Sequence, residues 1–133
     1  MPSKEPIYKK AYEKVASVDE SIWLSNDTPI MESDFTFVFN DKYPCVTGHK
    51  LFIPKENNSH FIGRSYGMAY DYGNEQIRKG EIAGFNIGMN IGICAGQTIM
   101  WPHIHFIPRQ ENDSEVIGGM RHAHPSADHT KYY

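Results

Sequence analysis

Gly96-Gln97-Thr98-Ile99-Met100-Trp101-Pro102-His103-Ile104-His105-Phe106-Ile107-Pro108-Arg109 is the stretch that decides the fold. Its β-branched and aromatic residues, stopped by Pro108, predict a strand over 98–107. Side chains alternate faces along a strand. Trp101, His103 and His105 therefore share one face, and Pro102, Ile104 and Phe106 take the other. The apolar face packs on the core while two imidazoles stand side by side on the exposed one. Pro102 removes a backbone donor inside this strand, which implies an edge position or a local bulge. Imidazole suits nucleophilic attack and proton transfer near neutral pH. A His-x-His pair on a strand serves equally well as metal ligands or as plain structural histidines.

What precedes the pair bears on that choice. A strand over 85–90, with Phe85, Ile87 and Met89 alternating, leads into the small-residue turn 92–96. Gln97 and Thr98 then place an amide and a hydroxyl beside the imidazoles. Backbone N–H groups at such a turn can hold a phosphate. Further upstream, 35–39 (FTFVF) reads as a strand ending at the turn cluster Asn40-Asp41-Lys42-Tyr43-Pro44. Gly48 opens another strand over 49–53, stopped by Pro54. Residues 55–63 read as loop, and 66–79, with Met68, Tyr72 and Ile77 spaced along it, as the main helix. Ile7, Ala11, Tyr12 and Val15 recur at helical spacing and predict an amphipathic N-terminal helix over 5–18. Everything after Pro108 reads as irregular. The sum is an α+β chain: an antiparallel sheet of about five strands, one main helix and an N-terminal helix. With no repeat and no linker, a single domain over 1–133 is expected.

Composition removes several functional classes. At 40% hydrophobic and 22% charged residues the chain is globular in type rather than disordered. A net charge of −3 without a Lys/Arg block argues against a polynucleotide partner. No apolar run approaches the roughly 20 residues that span a bilayer, so no membrane partner is expected. Residues 1–10 lack the apolar core of a signal peptide. Cys45 and Cys94 form no CxxC pair, which argues against a thiolate zinc site and fits a reduced, cytoplasmic setting. Five of the seven histidines lie from position 103 onward. Of these, His122, His124 and His129 read as solvated tail residues.

Three blocks, in order, carry a resemblance. They are Phe39-Asn40-Asp41-Lys42-Tyr43-Pro44 with Gly48-His49-Lys50-Leu51-Phe52-Ile53-Pro54-Lys55; Gly84-Phe85-Asn86-Ile87-Gly88-Met89-Asn90 with Ala95-Gly96-Gln97-Thr98; and His103-Ile104-His105-Phe106-Ile107-Pro108-Arg109. Together they resemble the signature of the histidine-triad (HIT) superfamily of nucleotide hydrolases and transferases. Gly118-Gly119-Met120-Arg121-His122 and the closing Tyr132-Tyr133 resemble the tail of its bacterial, diadenosine tetraphosphate hydrolase-type members. The similarity covers about residues 32–133.

The resemblance implies a HIT-like fold and an enzyme acting at the α-phosphate of a nucleoside phosphate conjugate, either a dinucleoside polyphosphate or a nucleoside phosphoramidate. It makes His103 the nucleophile that forms a nucleotidyl-imidazole. His105 becomes phosphate ligand and proton donor to the leaving group. Asn90, Gln97 and Thr98 fall on phosphate-contacting positions. Asp41, with Asn40 before it, falls on the ribose-binding carboxylate. His49 closes the rear of the pocket. A purine nucleotide as ligand, a homodimer, and neither metal nor cofactor are implied as well.

One departure matters. The first histidine of the triad is Trp101, whose indole donates one hydrogen bond but passes no proton. Alternation puts it beside His103, so it is expected to border or cover the phosphate site, favouring binding over turnover. A nucleotide-binding module with little turnover is therefore the alternative reading. A metal-binding barrel of cupin type also uses His-x-His, but it wants a carboxylate three or four residues later, where this chain has Pro108 and Arg109.

Overall fold

The computed structural model describes residues 13–114 and 118–128. Among the described residues five strands, β1 (Met31–Glu32), β2 (Thr36–Asn40), β3 (Lys50–Pro54), β4 (Gly84–Gly88) and β5 (Ile104–Arg109), form one sheet in the order β1-β2-β3-β5-β4. Every neighbouring pair is antiparallel. Helix α1 (Ile22–Asn26) precedes the sheet, and helix α2 (Ser59–Arg78) joins β3 to β4.

Both faces of the sheet are covered. In β3, Leu51 and Ile53 enter a core with Val18, Trp23, Phe39 and Trp101. Phe52, between them, enters a second core with Val38, Ala69, Ile104 and Phe106. A strand buried on both sides reads as a continuous apolar run, which is what Leu51-Phe52-Ile53 is. Helix α2 covers the second core, turning Ser65, Ala69 and Gly73 inward at four-residue spacing. Ser65 Oγ donates to the Phe61 carbonyl (2.8 Å) and receives the Thr36 hydroxyl (2.6 Å), so the helix is tied to β2 without a stranded polar atom.

Several sequence expectations shift. The main helix starts at Ser59 rather than 66, because Asn58 caps it: its side-chain oxygen accepts the Phe61 N–H at 2.9 Å. The last strand starts at Ile104 rather than 98. Pro102 therefore lies ahead of the ladder and removes no donor from it. Conversely Pro108 lies inside β5. It is tolerated because the ladder to β3 ends at Phe106, leaving only β4 beside it. The face carrying the histidines is covered by the first core rather than left as an open surface, since Trp101 is 3% and His103 6% exposed. The expected helix over 5–18 falls largely outside the described residues. Its described end, 13–17, is not helical, and a 3-10 turn, Val18–Glu20, leads into α1. Beyond Arg109 the described residues are irregular except for the 3-10 turn Met120–Ala123.

Candidate active site

His105 pairs with Leu51 across β5 and β3, so its ring rises from the face opposite α2. His103, just before β5, lies on the same side. Its ring centroid is 5.0 Å from Trp23 of α1 and 5.3 Å from His105. His49, just ahead of β3, is 5.1 Å from His105. A compact turn brings Asp41 to this row. Asp41 N–H donates to the His49 carbonyl (3.0 Å), His49 N–H to the Val46 carbonyl (3.1 Å), and Tyr43 N–H to Asp41 Oδ1 (2.9 Å). Gly48 makes the turn possible. Its φ is +93°, and an added Cβ would lie 3.2 Å from Pro108 Cγ.

The hydrogen bonds fix where the protons sit. Cys45 N–H donates to His49 Nδ1 at 3.1 Å. A neutral imidazole has one lone pair, so His49 carries its proton on Nε2. That N–H faces His105 Nδ1 at 2.9 Å and Asp41 Oδ2 at 3.2 Å. With His105 accepting on Nδ1, its own proton is on Nε2. His103 Nδ1–H donates to the Trp101 carbonyl at 2.7 Å, which leaves the lone pair on Nε2. Burial lowers the pKa of all three rings. For His105 burial and its two histidine neighbours outweigh Asp41 and bring it to about 4. For His103 burial outweighs the Trp101 carbonyl and Asp41, and for His49 it outweighs Asp41. With all three held below 6.5, the row is neutral at pH 7.

Asp41, His49 and His105 present ligand atoms within 4.8 Å of one another. This donor set does not suit a metal. The single lone pair of His49 is already taken at Nδ1 by the Cys45 amide, and its Nε2, the atom facing the cluster, is protonated. Asp41 and His105 alone fall short of the three or four protein ligands such centres use.

The other residues singled out by sequence are placed variously. Gln97 bridges the 92–96 turn, accepting Gly92 N–H on Oε1 (2.8 Å) and donating to the Ile99 carbonyl (3.0 Å). Asn90 lies against the same turn, near Gly96, and Thr98 is exposed beyond it. Asn40 is exposed on the opposite face, where its side-chain oxygen accepts from Lys50 Nζ at 3.0 Å. Trp101 does not wall the site: its indole sits in the first core and donates to the Pro54 carbonyl at 2.9 Å. His124 is exposed, and its Nδ1 accepts Ser126 N–H. His122 falls in the 3-10 turn, and His129 lies outside the described residues.

Sequence reasoning overlooked three contributors. The Trp23 ring backs His103, and the Cys45 amide orients His49. Arg109 binds Asp113 through Nε and Nη2, Asn86 Oδ1 and the Gly118 carbonyl, which anchors the segment after β5. Ile22-Trp23-Leu24 offered an apolar signal for the first; nothing in the sequence marks a backbone amide.

Comparison with known proteins settles the class. An uncharacterized HIT-like protein of Methanocaldococcus jannaschii is 31% identical over 66% of this chain and 73% of that protein. The chain belongs to the histidine-triad (HIT) family. An adenylylsulfatase of Arabidopsis thaliana is 31% identical over 63% of this chain and 46% of that protein. A zinc-bound histidine triad family protein from Mycobacterium smegmatis superimposes with a TM-score of 0.61 at 25% identity, over 68% of this chain and 73% of that one. No family model matches. Among the described residues no helix is long and apolar enough to cross a membrane.

Proposed function

We propose that the chain is a nucleotide hydrolase or nucleotidyltransferase that works at the α-phosphate of a nucleoside phosphate conjugate, with His103 as nucleophile. The observation that carries this reading is the bond from His103 Nδ1 to the Trp101 carbonyl. It selects the tautomer whose Nε2 lone pair can attack phosphorus, and the lowered pKa keeps that lone pair unprotonated at neutral pH. Attack by Nε2 forms a P–N bond as the bond from phosphorus to the leaving atom breaks, and the electron pair goes to that atom. His105 supplies its proton. An anionic phosphate beside His105 opposes the effect of burial and favours the imidazolium, and the His49 N–H then turns wholly to Asp41 Oδ2. Water next cleaves the P–N bond, giving the nucleoside monophosphate, restoring neutral His103 and returning a proton to His105.

In this reading the turn bridged by Gln97, with Asn90 and Thr98 beside it, receives the phosphate, and Asp41 accepts from the ribose hydroxyls. The supporting relative is the plant adenylylsulfatase, whose named activity concerns a nucleotide conjugate. Rapid quench at alkaline pH followed by intact-mass measurement should trap one nucleotidyl group per chain, and none on His103→Ala. Full turnover by folded His103→Ala would sink the mechanism.

A further inference from the structure

Beside the imidazole row lies a cavity of about 460 Å³ that the mechanism does not use. Its walls are Val46, Ile107, Pro108 and Met120, with Asn86 and Arg109 at the rim. Three features set it next to the site. Ile107 is two residues beyond His105 on the same face of β5. Gly88 pairs with His105, and a Cβ on Gly88 would lie 3.0 Å from Met120 Cε, so that methyl sits over the neighbour of the proton donor. Cys45, whose amide orients His49, also borders the cavity.

The charge of its rim is already spent. The Arg109 guanidinium is paired with the Asp113 carboxylate and bonded to Asn86 and the Gly118 carbonyl. Among the described residues that line the cavity, a polyanionic group, such as the second half of a dinucleoside polyphosphate, would find no cation other than this paired one. An apolar body finds aliphatic and thioether walls of a size suited to an aromatic ring.

We infer that this cavity holds the leaving group, and that the preferred substrates are nucleoside phosphoramidates or esters whose leaving moiety carries an apolar, aryl-sized body. The inference rests on the reading of His105 as proton donor, because the departing atom must lie on the donor's side. Leaving-group selectivity then comes from Val46, Ile107 and Met120, while chemistry stays with His103.

Two adenosine 5′-phosphoramidates that differ only by a ring, those of ethylamine and phenethylamine, test it. In the wild type, kcat/KM for the phenethylamine compound should exceed that for the ethylamine compound by about tenfold or more, the scale at which an apolar pocket discriminates. Ala123→Trp, which places bulk at the cavity edge, and Met120→Ala, which removes a wall from an exposed position, should each bring the ratio toward one. Should Ala123→Trp fail to fold, Met120→Ala carries the test. A wild-type ratio near one, or a ratio unmoved by every folded variant, overturns the pocket while leaving the nucleotidyl-His103 mechanism standing. Hydrolysis of neither compound overturns the mechanism and the pocket with it.

Discussion

Trp101 shows how a single position can leave a motif and stay in its architecture. Its backbone carbonyl orders the tautomer of His103, a task any residue there performs. Its indole fills the first core and satisfies the carbonyl of Pro54, a fully buried residue. Strand alternation correctly put Trp101 and His103 on one side of the sheet. It could not reveal that α1 brings Trp23 over that side and closes it, because nothing local to 98–109 encodes a covering element. Trp101→Phe should therefore destabilise by about 1–3 kcal/mol, the cost of a buried acceptor left unpaired, with kcat little changed. Trp101→His should cost more, because a smaller ring leaves a void in the core, and it should not raise kcat. Thermal unfolding and steady-state kinetics on the two variants check this; a marked gain in kcat for Trp101→His would show that the indole obstructs the chemistry after all.

At the scale of elements, legibility followed the strength of the periodic signal. The strands at 36–40, 50–54 and 84–88 were readable to within a residue or two from aromatic and β-branched runs bounded by turn residues. The first turns of α2 were not, since His60, Gly63 and Gly67 depress helix propensity and only the Asn58 cap announces the start. The glycines of α2 also separate two physical effects. Glycine inside a helix costs roughly 0.5–1 kcal/mol relative to alanine. At Gly67 an added Cβ meets nothing within 4 Å, so Gly67→Ala should stabilise by up to about that amount. At Gly73 the same methyl overlaps the Phe85 ring, which is stacked on Phe106 with centroids 5.3 Å apart and cannot retreat freely. Overpacking of this kind costs about 1–3 kcal/mol and outweighs the gain in propensity. Gly73→Ala should thus lower the denaturant midpoint while Gly67→Ala raises it. Equal shifts of one sign would mean that helix–sheet packing does not decide the matter.

Across the whole molecule, the site makes stability depend on pH in a definite direction. His49, His103 and His105 come from the turn before β3, the approach to β5 and β5 itself. They converge only when both cores form, so the folded state alone holds them away from water. All three are lowered from 6.5, His105 to about 4. The unfolded chain takes up protons on these rings as pH falls through 6.5, whereas the folded chain resists until lower pH. Unfolding therefore binds protons in that interval, and acid favours it. Stability should be fully developed above about pH 7 and fall as pH drops toward 5, by up to about 1.4 kcal/mol per pH unit from His105 alone. Asp113, held at about 2 by its bonds to Arg109, titrates below this window and does not blur it. Melting temperatures at pH 7, 6 and 5 should descend in that order, and His105→Asn should flatten the slope by removing its largest contributor. An anionic nucleotide bound beside the row raises these pKa values, so its stabilising effect should be greater at pH 5.5 than at pH 7.5. Melting temperatures independent of pH from 7 to 5, with and without nucleotide, would mean that the imidazole row is hydrated in solution, and the proposal of a neutral His103 as nucleophile would lose its physical basis.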